Sequence, residues 1–218
     1  IFALAYDSKA RARSAATGPE GKLDRITADK KAQVFFDAEE EHLMSVAVGN
    51  GKVYAGGGDK AKLYELTGPG RASVLHDFGR TEVRAIAVAA SGDVYAIANE
   101  IKPRSFPSSK SSDDSKASSD TKGKGKGALF RFDKNGSPEQ LMDEDDDYFT
   151  SLALDGKGKP FVGTGVEGRL YTVDDQHNAV LVADTEERQL SVLLLADKDR
   201  YVIGTDPVAI HPVRGVGG

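Results

Sequence analysis

The sequence predicts an all-β fold of repeated four-stranded units, and three sets of recurring markers carry that prediction. The first is a leucine inside similar segments: "GKLDRIT", "AKLYELT", "GALFRFD" and "GRLYTVD". They place Leu23, Leu63, Leu129 and Leu170 at spacings of 40, 66 and 41. The second set is "SVAV" at Ser45, "AIAV" at Ala85, "SLAL" at Ser151 and "SVLL" at Ser191, spaced 40, 66 and 40. "FALA" at Phe2 is an earlier, less regular member. The third is one acidic residue, Asp37, Asp77, Asp143 and Asp184, spaced 40, 66 and 41. One period of about 40 residues, with one repeat enlarged, marks a repeat architecture.

Taken in order, the units cover residues 1–42, 43–82, 83–148 and 149–189, and a partial fifth covers 190–218. The second unit shows the elements most clearly. Its strands read "LMSVAV", "KVYAGG", "AKLYELT" and "ASVLHDF", and "GNG", "GDK" and "TGPGR" join them with turn residues that tolerate positive φ. "KLYEL" alternates with the two-residue period of a strand. No stretch carries a helical period. Four strands per unit, repeated, describe the blade of a β-propeller. The third unit is longer because residues 101–126 intrude between its second and third strands. Rich in serine, with seven basic residues against three acidic ones in "IKPRSFPSSKSSDDSKASSDTKGKGKG", this insertion is expected to be disordered. About four and a half units do not close a ring neatly. The chain therefore reads as an incomplete part of a larger propeller, or else as a five-bladed ring with a short last blade.

The segment "GTGVEGRLYTV" from Gly163 matches Gly-x-Gly-x-x-Gly, the spacing of a dinucleotide-binding loop. Such a loop must open a helix whose N-terminal amides hold the pyrophosphate. Here the alternating strand "RLYTV" follows instead, and "ATGPEG" and "GGGDKA" occupy the same place in other units. The glycines are expected to serve a tight connection between strands.

The units "ATGPEGKLDRIT" from Ala16, "YAGGGDKAKLYELT" from Tyr54 and "VGTGVEGRLYTVD" from Val162 resemble bacterial propeller repeats of the form "VYAGTGxEGKLYRVD". Those repeats are loosely related to the tryptophan–aspartate repeat propellers. This chain has no tryptophan, so the signature dipeptide of the larger family is absent. The resemblance implies a propeller fold and a non-catalytic scaffold role, and it transfers no functional residues.

Composition narrows the function classes. A hydrophobic content of 39% with 29% charged residues is that of a soluble globular chain. With no cysteine, thiolate metal sites and cysteine nucleophiles are excluded. A net charge of −5 gives no general attraction to nucleic acid, and no nucleic-acid partner is expected. The run "SVLLLA" is too short to span a bilayer. The chain opens on "IFALAY", already strand-like, and is expected to be a piece of something longer. No compartment is indicated.

In a propeller the loops from each fourth strand to the next first strand share one face with the second-to-third connections. Here those loops are acidic: "DAEEEHL", "DFGRTEV", "DEDDDYF" and "DTEERQL". Asp37, Glu40, Glu41, Asp77, Asp143, Asp146 and Asp184 are candidates for a partner-binding face, together with Arg84. The bland alternative is that the recurring Asp caps its own turn. Met44, Arg84, Thr150 and Leu190 precede the second marker set and are expected at the channel mouth. Arg84 there anchors a carboxylate, or pairs with a neighbouring acidic loop. His42, His76, His177 and His211 fall at unrelated places in the repeat, so no metal site or catalytic base is expected from them. The expected function is a non-catalytic binding scaffold that recognises a protein or peptide at the acidic channel-mouth face, without a cofactor. The alternative is a propeller hydrolase or lyase that uses a carboxylate-bound divalent cation at the central channel.

Overall fold

The computed structural model describes residues 1–101, 125–195, 200–205 and 208–212. The expected disorder of the insertion falls almost wholly outside these residues. Among them there are nineteen strands and no helix, and no helix is long and apolar enough to cross a membrane. The first unit contains β1 (Ala3–Asp7), β2 (Ala12–Ala16), β3 (Lys22–Ile26) and β4 (Ala32–Asp37). The second contains β5 (Leu43–Gly49), β6 (Lys52–Gly57), β7 (Lys62–Gly68) and β8 (Arg71–Asp77). In the third are β9 (Glu82–Val88), β10 (Val94–Ile101), β11 (Gly125–Phe132) and β12 (Pro138–Glu144). The fourth holds β13 (Phe149–Leu154), β14 (Pro160–Thr164), β15 (Arg169–Val173) and β16 (Ala179–Asp184). The last holds β17 (Gln189–Leu195), β18 (Arg200–Thr205) and β19 (Ala209–Pro212).

Each unit is one antiparallel meander in chain order, four-stranded in the first four and three-stranded in the fifth. Local chemistry closes the hairpins. Asn50 and Gly51 both have positive φ, at 53° and 76°, and join β5 to β6 in a two-residue turn. Asp133, Asp155 and Asp174 each accept two backbone N–H bonds from residues two and four places on. Such side-chain brackets hold a turn without help from the rest of the fold.

The units stack through their first strands: β1 packs on β5, β5 on β9, β9 on β13 and β13 on β17. The first strands therefore line the axis and the fourth strands form the rim, which is the arrangement of a partial β-propeller. Each seam has its own apolar cluster beneath a marker leucine. Leu23 meets Leu43 and Val53, Leu63 meets Val83 and Val94, Leu129 meets Phe149 and Val162, and Leu170 meets Leu190. All four leucines are fully buried, and each such side chain contributes roughly 2 kcal/mol.

Polar bonds add precision at the seams. Ser45 Oγ donates to the Val83 carbonyl and Ser151 Oγ to the Leu190 carbonyl, both at 2.7 Å. Buried Asn99 donates to the Phe149 carbonyl and accepts from its N–H at 2.8 and 3.1 Å.

The glycines of "GTGVEG" are structural. β15 starts at Arg169 as a strand, so no helix N-terminus exists there for a pyrophosphate. Gly168 has φ +63°, and a Cβ on it would fall on the Glu187 carbonyl. A Cβ on Gly165 would enter the ring of Tyr148.

Candidate functional site at the channel mouth

The register of each ladder assigns equivalent positions. Ala16 pairs with Ala3 and Leu23, and Gly56 pairs with Ser45 and Leu63. Ile97 pairs with Ala85 and Leu129, Gly163 with Ser151 and Leu170, and Ile203 with Val192 and Ile210. In units two to five the ladder shifts by one residue just before these positions, leaving Met44, Arg84, Thr150 and Ser191 out of register. A bulge of this kind re-aims a side chain.

Three of the four residues expected at the channel mouth are brought together. Met44, Arg84 and Thr150 line one cavity of about 470 Å³ on the axis, with Ile1, Phe2 and Ser45 among its other walls. Leu190 is not there. It is buried against Phe161 and Leu170, and its carbonyl accepts from Thr150 Oγ1 at 2.6 Å. The bulge of the fifth unit falls one residue later, at Ser191; the apolar run "LSVLLL" carries no mark of the register, so the spacing pointed to Leu190. The same slip applies to "FALA": Ala3 holds the place of Ser45, so Phe2 takes that of Met44.

Arg84 is exposed into this cavity and has neither an ion pair nor a hydrogen bond with any described residue. It does not pair with an acidic loop. Thr150 is already committed to carbonyls, leaving the guanidinium as the one charged side chain among the residues that line this cavity.

The recurring aspartates lie elsewhere. Asp37, Asp77, Asp143 and Asp184 are exposed on the fourth strands, at the rim and not around the axis. Three of them sit across the ladder from a basic residue: Lys22 from Asp37, Lys62 from Asp77, and Arg169 from Asp184. Asp143 accepts from Arg80 at 2.9 Å. Such cross-strand pairing explains the repetition. Only Asp77 among the four brackets its own turn, accepting from Gly79 N–H at 3.0 Å.

Glu40 is buried, and its carboxylate accepts from the N–H groups of Lys60 and Lys62 at 2.9 and 3.1 Å. It holds the second-to-third connection of the unit that follows. Asp147 does the same in the fourth unit, accepting from Tyr148, Gly165 and Glu167. Burial pushes Asp147 above the usual carboxylate range despite these bonds, and burial followed by the Asp147 charge pushes Glu144 up as well. Glu187, buried beside Gly204, bonds His211 at 2.8 Å. The sequence reading missed Asp147 and Glu187 as braces. The clue was position, since Glu40 and Glu187 both stand three residues before a buried leucine.

Glu41 and Asp146 are exposed, and Glu41 N–H donates to Asp59 at 2.8 Å. Among the described residues no group of three or more histidines and carboxylates is placed to hold a metal ion. The carboxylate-bound cation of the alternative reading therefore has no ligand set in the described part of the chain.

No family model and no curated protein matches this sequence. Solved structures do. A gluconolactonase from Xanthomonas campestris is 14% identical over 95% of this chain and 71% of its own, with a TM-score of 0.67. Virginiamycin B lyase from Staphylococcus aureus is 9% identical over 99% of this chain and 70% of its own, with a TM-score of 0.68. A chain of the nidogen–laminin complex is 11% identical over 98% and 76%, with a TM-score of 0.68. The likeness establishes the propeller fold. It also corrects the expectation of a non-catalytic scaffold, which rested on fold resemblance alone. Two of these propellers are enzymes, so the fold gives no ground for excluding catalysis.

Proposed function

We propose that the chain forms much of a propeller enzyme of the hydrolase or lyase class, with its reaction at the channel mouth. The observation that carries this reading is Arg84, a guanidinium without a partner among the described residues, presented by a bulge into the axial cavity. Hydrolysis of an ester or lactone and elimination next to a carbonyl both build negative charge on a carbonyl oxygen. A preorganised cation at that point stabilises the transition state. The fold shared with a gluconolactonase and a lyase supports the same class. No step is routed through a metal ion, since among the described residues no group of three or more histidines and carboxylates is placed to hold one. The repeat itself we read as akin to the bacterial propeller repeats that "YAGGGDKAKLYELT" resembles. A protein or peptide with basic residues is the partner we propose for the exposed acids Asp37, Glu41, Asp77, Asp146 and Asp184 at the rim.

The test is acid release from a panel of sugar lactones and carboxylate-bearing esters, with elimination followed in parallel. Turnover is expected to fall about 100-fold or more in Arg84→Met, with Tm unchanged because the side chain is exposed. Absence of turnover across the panel, or full activity in the variant, would overturn the proposal.

A further inference from the structure

The arc has two ends, and both expose apolar side chains, with Arg13 lying over the Tyr6 ring on the first. At every internal seam two residues of a first strand pack on the marker leucine of the unit before. Val46 and Val48 lie on the cluster of Leu23, Ile86 and Val88 on that of Leu63, Leu152 and Leu154 on that of Leu129, and Leu193 and Leu195 on that of Leu170. By register, Leu4 and Tyr6 are the corresponding pair of the first unit, and they are 56% and 58% exposed. Ile210 holds the marker-leucine position of the fifth unit and is 64% exposed, against 0% for the four leucines. On the same side of that unit Val192 and Leu194 are 48% and 56% exposed. The first strands of units one and five do not pack on each other as consecutive ones do.

These two faces are complementary halves of one repeating interface. We infer that they are covered by further blades of this same repeat, seated between the fifth unit and the first. Such a blade offers a branched pair to Ile210, Val192 and Leu194, while the last blade inserted offers a buried leucine to Leu4 and Tyr6. The interior seams define that chemistry: branched aliphatics on one side, and leucine with small residues on the other. The span agrees, because this chain covers only 70–76% of the solved propellers described above. Rings of this class hold four to eight blades, which leaves room for roughly one or two more.

The experiment compares the 218-residue chain with a fusion that carries a second copy of residues 43–82 after residue 218. The fusion is expected to raise Tm, to lower binding of an apolar dye, and to slow amide exchange over Val192–Leu195. Ile210→Asp should abolish the gain in the fusion while changing Tm little in the unfused chain. An unchanged Tm and unchanged exchange in the fusion overturn the inference. A discrete dimer of the unfused chain, with both faces protected, overturns it in favour of a second copy. Energetic coupling between Leu4→Asp and Ile210→Asp in the unfused monomer overturns it in favour of direct five-unit closure.

Discussion

Glu40 and Asp147 show how a charged residue in a loop acts as part of the scaffold. A buried carboxylate facing several backbone N–H groups is stabilised by them, and removing it leaves those donors without partners. Glu40→Ala is expected to cost about 3 kcal/mol in urea denaturation, and Glu40→Gln, which keeps one acceptor, about 1 kcal/mol. A cost near zero for both would show that water replaces the brace. Asp147 adds a pH signature. Burial raises its folded pKa above the ordinary 3.8, so the folded state holds the proton longer than the unfolded chain does. Its contribution is full below about 3.8 and is lost as pH rises through the folded value. Asp147→Asn keeps one acceptor oxygen, at a cost that does not vary with pH, and removes the titration. Its Tm relative to the parent is therefore expected to improve on going from pH 4 to pH 7. A constant difference would refute the assignment.

At the scale of strands and turns, two glycines separate two kinds of constraint. Gly51, at φ +76°, has open space where a Cβ would stand, whereas Gly168, at φ +63°, has the Glu187 carbonyl there. Gly51→Ala is expected to cost only the left-handed backbone strain, about 1 kcal/mol. Gly168→Ala adds a collision and is expected to cost about 3 kcal/mol, again by denaturant titration; equal costs would contradict this reading. The sequence showed these turns well, because positive φ leaves Gly and Asn behind as marks. It showed the marker leucines equally well, since each fills an identical seam. What it hid was the bulge. One residue out of register shifts no spacing between repeats, so Leu190 stood in for Ser191 and Phe2 for Ala3 where apolar runs offered both choices. The acidic loops were misplaced for another reason. Charge alone does not distinguish a carboxylate on the rim from one facing the axis, and only the ladder partner, Lys22 for Asp37 or Arg169 for Asp184, makes that distinction.

For the whole molecule, stability should be graded along the arc. A unit in the interior buries apolar surface on both faces, and a unit at either end on one. Elements that make few buried apolar contacts open at lower free energy, in cooperative units, before global unfolding. Each seam is a separate cluster under its own leucine, so the chain behaves more like a stack of nearest neighbours than like one undivided core. The middle strands β6, β10 and β14 are paired on both sides, and they belong to units flanked by two others. Their amides are expected to exchange slowest, through global opening. β2 is also paired on both sides, yet its unit has one neighbour, so it should exchange faster than β6. The comparison of β2 with β6 removes strand position as a variable and leaves seam number. Native-state exchange followed against low denaturant reads both opening free energies directly. Equal values for β2 and β6 would mean that the arc unfolds as one cooperative body, and the nearest-neighbour description would then fail.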